Sequence, residues 1–145
     1  MSVFLSTHYQ KLDAKNRLSV PADFRKLLDQ ESVVIYPSYK HNHVLECVSL
    51  ARIAALSDSI DTLDPLDNSQ DDITASIFAD ATVLKIDGQG RITLPNELKA
   101  HCDLDKQAAF IGRGNTFQIW HPDLFKGYQS LAKARITEIM KKEIK

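Results

Sequence analysis

The sequence predicts an α+β fold assembled from one small unit used twice. Three observations lead there: a motif that recurs at a fixed distance, short runs of alternating apolar residues between turn residues, and helical spacing in the middle and at the end of the chain. Residues 11–25, K-L-D-A-K-N-R-L-S-V-P-A-D-F-R, return 74 positions later at residues 85–99 as K-I-D-G-Q-G-R-I-T-L-P-N-E-L-K. Lys, Asp, Arg and Pro are identical between the copies, and most other positions are conservative exchanges. A chain of 145 residues holds one ordinary domain or two very small ones. Units of roughly 45 residues bury too little apolar surface alone, so the two halves are expected to pack on each other and on further subunits.

Within each motif Leu18 and Val20, or Ile92 and Leu94, alternate as one buried face of a strand, which turns Arg17, Ser19, Arg91 and Thr93 to the other side. Three residues separate Asp from Arg in both copies, Ala14-Lys15-Asn16 and Gly88-Gln89-Gly90. A three-residue hairpin loop ends in a residue at positive φ, where Gly fits best and Asn is tolerated. Asn16 and Gly90 take that place, while Asp13 and Asp87 accept hydrogen bonds from the turn amides. Pro21 and Pro95 close the strands and start short helices, the first with Phe24, Leu27 and Leu28 as its apolar stripe.

A second strand pair follows in each half, 33–36 with 44–48 and 108–111 with 116–120. Helical spacing covers 50–63 through Leu50, Ile53, Leu56, Ile60 and Leu63, and Asp64-Pro65 stops it. A further short helix over 71–79 turns Ile73, Ile77 and Phe78 inward, and residues 122–145 form a terminal helix. Its stripe of Leu124, Tyr128, Leu131, Ile136, Ile139 and Met140 is expected to pack on the protein's own body.

The net charge of −1 is unevenly spread. Residues 1–45 carry six Lys/Arg against four Asp/Glu, residues 46–80 one against eight, and residues 81–145 eleven against seven. Both repeats are mildly basic around an acidic middle, which permits an anionic partner at the repeats. The opening residues lack a basic and apolar leader pattern and no run is long enough to span a bilayer, so a cytoplasmic protein without membrane contact is expected. Cys47 and Cys102 are expected as reduced, partly buried thiols.

The residues give little support to catalysis. The five histidines are scattered, and His41-x-His43 lacks a third ligand of suitable spacing. His101 and Cys102 point apart on a helix, and no phosphate-cradling glycine loop is present. We therefore expect no enzyme, metal, cofactor or small-molecule substrate. The outward arginine is different, because folding needs the Asp and the Asn or Gly of the turn but does not need Arg on the outer face twice. A planar, permanently charged fork beside a tight loop suits phosphates and guanine edges. Arg17 and Arg91 are therefore expected to stand proud of their hairpins as DNA-binding residues, with Lys15 at the first tip and Lys11 and Lys85 nearby.

These two motifs, followed by A-F-I-G-R-G-N-T-F-Q-I-W-H-P at residues 109–122, resemble the MraZ family of bacterial transcriptional regulators over nearly the whole chain. The resemblance implies tandem duplicated swapped-hairpin half-domains of SpoVT-AbrB type, each a β-barrel half, with flanking helices and a C-terminal helix. Residues 5–50 and 81–124 would be the two domains, 51–80 a helical linker and 125–145 the terminal helix. It further implies a nucleoid-associated homo-oligomer, a closed ring, that binds double-stranded DNA at tandem promoter repeats of the division and cell-wall gene cluster, usually as a repressor. The hairpin arginine with neighbouring basic residues makes the DNA contact in that family, which here points to Arg17 and Arg91. The chain departs from the pattern at Leu5-Ser6, where Arg-Gly is common, at Asn16, where Gly is common, and at the acidic Asp71-Asp72. A low-specificity nucleoid or antitoxin-like DNA binder and a non-DNA oligomeric scaffold are the alternative readings.

Overall fold

The computed structural model describes residues 2–28 and 31–144. Among these residues eight strands and five α-helices follow one another as β1 (Thr7–Lys11), β2 (Arg17–Ser19), α1 (Ala22–Arg25), β3 (Ser32–Pro37), β4 (Val44–Val48), α2 (Leu50–Ile60), α3 (Ser69–Ser76), β5 (Thr82–Lys85), β6 (Arg91–Thr93), α4 (Asn96–His101), β7 (Gln107–Gly112), β8 (Phe117–Trp120) and α5 (Pro122–Ile144). A 3₁₀ turn, Phe78–Asp80, links α3 to β5. The class is α+β with antiparallel pairing throughout.

Six strands form one sheet in the order β1-β7-β8-β4-β3-β5, and β2 pairs with β6 in a separate two-stranded ribbon. Exchanging each strand for its counterpart in the other repeat reverses this order onto itself. Both outer strands cross over: β1 lies on β7 of the second half, and β5 lies on β3 of the first. The expected barrel halves are not found. Among the described residues the sheet stays open, ending at β1 and β5, because β2 and β6 are three residues long, run into Pro21 and Pro95, and pair with each other instead of closing it.

The main core lies between one face of the sheet and the layer made by the ribbon, α1 and α4. Leu18, Val20 and Phe24 from the first repeat meet Ile92, Leu94 and Leu98 from the second, over Val33, Ile35, Leu45, Phe110, Phe117 and Ile119 of the sheet. Phe4, Phe24 and Phe117 stack with centroids 4.9–5.3 Å apart. Phe4 is brought in by an isolated bridge to Gly114, and a Cβ at Gly112 would overlap the Leu5 backbone, so this close approach requires glycine.

The other face of the sheet is covered unevenly. The helices α2 and α3, with Ile77 at the end of α3, cap Val34, Tyr36 and Val48 on the first half, and Phe125 at the start of α5 caps Val44, Ala109 and Trp120 on the second. Strands β4 and β8, covered on both faces, are buried along their whole length and are apolar at all but one position each. Their two polar members pair across the register: Gln118 Nε2 donates to both Glu46 carboxylate oxygens at 3.1 Å, and Trp120 Nε1 donates to Gln118 Oε1 at 2.9 Å. Ser49 caps α2 by accepting from the Arg52 amide.

The terminal helix differs from expectation. Only its first turns touch the body, through Phe125 and through Tyr128, which meets Trp120 and His41. Beyond them Leu131, Ile136, Ile139 and Met140 are 52–63% exposed. The strands of the second half are only four to six residues long, too short to carry a helix of 23 residues, about 34 Å at 1.5 Å per residue. No helix among the described residues is long and apolar enough to cross a membrane.

Candidate nucleic-acid interface

Each copy of the Asp-x-x-x-Arg motif forms a closed turn. Asp13 N–H donates to the Arg17 carbonyl at 3.1 Å and Asn16 N–H returns to the Asp13 carbonyl at 3.0 Å; the second copy repeats this at 2.9 Å for Asp87 to Arg91 and for Gly90 to Asp87. Asn16 has φ +63° and Gly90 φ +79°, the left-handed values that a type I turn with a bulge requires at this position. Inside the turn, Asp13 Oδ1 accepts from the Lys15 and Arg17 amides at 2.9 and 2.8 Å, and Asp87 Oδ1 from the Gln89 and Arg91 amides, both at 2.9 Å.

The second carboxylate oxygen of each Asp is spent on the arginine. Arg17 Nε donates to Asp13 Oδ2 at 2.7 Å and Arg91 Nε to Asp87 Oδ2 at 3.0 Å. The guanidinium groups are thus held down against their own turns rather than standing proud, with side chains 30% and 27% exposed. The contact uses Nε alone. Among the described residues no further hydrogen bond engages either guanidinium, so the two Nη amino groups remain available for an external acceptor. The Arg17 amide, opposed by partial desolvation and helped by the Arg17 side chain and the Lys15 amide, holds the Asp13 carboxyl below the usual range. The Arg91 amide does the same for Asp87, opposed by desolvation and joined by the Gln89 amide and the Arg91 side chain. Both carboxylates therefore stay ionised through the physiological range.

The ribbon brings the two copies together. Arg17 stands opposite Thr93, Leu18 opposite Ile92 and Ser19 opposite Arg91. Leu18 and Ile92 face the core, almost wholly buried, so Arg17, Ser19, Arg91 and Thr93 share the outer face. Arg17 and Arg91 are diagonal neighbours in this register, about 7–8 Å apart at the backbone. Their turns lie at opposite ends of the ribbon. Lys15 is exposed at the tip of the first, while Lys11 and Lys85, also exposed, end β1 and β5 where the chain enters each turn. Counting Lys11, Lys15 and Arg17 against Asp13, and Lys85 and Arg91 against Asp87, the first hairpin is the more positive.

The sequence reading passed over Arg25. Its guanidinium lies against the backbone of the second hairpin, where a Cβ on Gly90 would overlap Nη1. In the first hairpin the corresponding residue, Asn16, instead donates from Nδ2 to Asn96 Oδ1 at 2.6 Å. The Gly-for-Asn difference between the copies is the signal in the sequence, although nothing there tells which distant side chain covers the glycine.

The remaining chemical residues are dispersed. No group of three metal-ligating side chains is found among the described residues. His41 stacks on Trp120 and Tyr128, whereas His43 Nδ1 lies 3.0 Å from the His101 carbonyl, so the two imidazoles serve different partners. Cys47 and Cys102 are both free and fully buried. Burial pushes the Cys102 thiol up to about 12 and the Cys47 thiol well above its ordinary value.

A family model described as "MraZ protein, putative antitoxin-like" matches residues 77–145. A Rickettsia typhi protein named "Transcriptional regulator MraZ" is 41% identical over 92% of this chain and 91% of its own length. The chain belongs to the MraZ family. Relatives bearing the same name include one from Rickettsia rickettsii at 40% identity over 92% of this chain and 91% of its own. Another, from Gluconacetobacter diazotrophicus, is 40% identical over 96% of this chain and 91% of its own length. These MraZ relatives span both hairpins, whereas the family model covers the second hairpin and α5.

Proposed function

We propose that this chain is a DNA-binding transcriptional regulator that reads double-stranded DNA with the outer face of its β2–β6 ribbon. The observation that carries this reading is the pair of arginines, each anchored through Nε to its turn carboxylate and each with its Nη groups free, side by side on one face. Anchoring removes part of the side-chain entropy that a free arginine loses on binding, and it aims a bidentate donor pair at phosphate or at a guanine edge. In this reading Arg17 reaches a base edge from the major groove, Lys15 anchors phosphate, Arg91 acts as the second reader, and Lys11 and Lys85 add attraction.

The crossed strand pairing supports two swapped-hairpin domains of SpoVT-AbrB type, 5–50 and 81–124, joined by the helical segment 51–80 and followed by 125–145. One hairpin that neutralises two or three phosphates has a salt slope of only about −2 to −3, at roughly −0.9 per phosphate. Tight binding therefore needs several copies on spaced repeats, which favours a closed homo-oligomeric ring acting as a repressor on tandem promoter repeats of the division and cell-wall gene cluster, in the cytoplasm and at the nucleoid. In a gel-shift titration against the DNA upstream of its own gene, Arg17→Ala should leave the oligomer intact and abolish specific binding. Unaltered binding would reject the assigned role. The antitoxin-like wording of the family description favours one second reading, a low-specificity DNA binder, which the same titration identifies by a small ratio of specific to nonspecific affinity.

A further inference from the structure

The sheet face away from the ribbon carries a polar row across its middle. Tyr36, Glu46 and Gln118 stand side by side on β3, β4 and β8, and all three line a cavity of about 490 Å³ between the sheet and α2. Glu46 is only 9% exposed, and among the described residues the hydrogen bonds found to its carboxylate come from the Gln118 amide alone. A carboxylate has about four acceptor positions, so Glu46 can take a further donor. Three exposed cations line the same cavity, each brought by a different element: Lys40 by the β3–β4 loop, Arg52 by the first turn of α2 and Arg113 by the β7–β8 loop. The ion pairs found among the described residues are the two inside the hairpins, so none of the three cations is in ion-pair contact with Glu46 or with an aspartate.

We propose that this cavity binds a nucleoside phosphate, with its phosphates on Lys40, Arg52 and Arg113 and its base donating an N–H to Glu46. Three like charges gathered around one space repel one another, and a multiply charged phosphate group offsets that repulsion while accepting from all three. The cavity also presents Tyr39 and Leu56, an aromatic and an apolar surface for a base, and its volume is ordinary for a small-molecule pocket. A small anion fits better than a polymer. Residues 46–80 carry eight Asp/Glu against Arg52 alone, and of those eight only Glu46 lines the cavity, so the site is positive inside an acidic half of the molecule that repels a long polyanion. The sheet lies between this cavity and the ribbon, which makes the site separate from the DNA-reading face and independent of that reading.

Calorimetric titration of the full-length protein with guanosine diphosphate, adenosine diphosphate and inorganic pyrophosphate tests it, with thermal melting as the control for folding. At least one nucleotide should bind at one site per chain and more tightly than pyrophosphate. Lys40→Glu with Arg52→Glu, both at exposed positions, should weaken that nucleotide by about tenfold or more, and Arg113→Glu on a different loop reads the same loss should the double variant melt early. Glu46→Gln keeps the size of the side chain and should weaken the nucleotide while leaving pyrophosphate as it was. Wild type that binds neither nucleotide, or that binds pyrophosphate equally well, overturns the assignment. So does nucleotide binding that the folded cation variants or Glu46→Gln leave at the wild-type affinity.

Discussion

Arg17 and Asp13 form a pair whose net charge is zero, and an account by charge alone would treat removal of the carboxylate as a gain for DNA binding. Orientation predicts the opposite. Asp13→Asn should weaken binding to the specific operator while leaving nonspecific affinity equal or higher, because the guanidinium loses the anchor that aims it. A parallel gel-shift series on operator and scrambled DNA checks this, and equal gains on both would return the site to simple electrostatics. The same pair sets an acid limit. Asp13 and Asp87 have folded-state values below those of the unfolded chain, so their stabilisation is complete above the ordinary aspartate pKa of about 3.9 and is lost as pH falls through the depressed values. Carboxyl chemical shifts followed from pH 6 to 2 should show both residues titrating below the ordinary aspartate value, and titration at that value would deny the turn bonds. Cys47 and Cys102, buried with raised values, should resist a thiol reagent until the protein unfolds; rapid labelling of native protein would contradict their placement.

At the scale of elements, the two hairpins use the same geometry with different residues at the positive-φ position. Gly90→Ala should cost about 1–2 kcal/mol for the left-handed conformation, and it also displaces Arg25. Asn16→Gly relieves a positive φ but removes the Asn96 contact, so its thermal melt should stay within a few degrees of wild type. Much of this was legible in the chain. The Asp-to-Arg spacing with Asn or Gly before the Arg announces a tight turn, Pro21 and Pro95 mark the strand ends, and the alternation of Leu18 with Val20 and Ile92 with Leu94 marks the buried face. Strand pairing across the repeats was not legible, since Lys11 opposite Gln107 and Ser32 opposite Lys85 carry no complementary pattern that selects a register. The Nε anchor was equally hidden, because an i, i+4 pair across a hairpin turn and a solvated arginine have the same sequence. For α5 the periodicity was correct and its partner was not, for an apolar stripe specifies burial without specifying in which molecule.

The whole molecule is a three-layer body with approximate twofold symmetry in its core and marked asymmetry outside it. The ribbon side presents two diagonally neighbouring arginines, while the opposite side of the sheet is split between an acidic helical half and a half from which α5 departs. In the proposed reading that division keeps the arginines of the DNA-reading face away from the aspartates of the acidic half, which would disfavour DNA on their side. The most direct test of the reading face is a titration of operator and scrambled DNA, across a salt series, with wild type, Arg17→Lys and Arg91→Lys. Lysine keeps the charge but loses the planar fork and the Nε anchor. The account predicts an unchanged salt slope and, for Arg17→Lys, a ratio of specific to nonspecific affinity reduced by roughly 5- to 150-fold, the equivalent of 1–3 kcal/mol for one bidentate contact. An Arg17→Lys protein that keeps the wild-type ratio would contradict it.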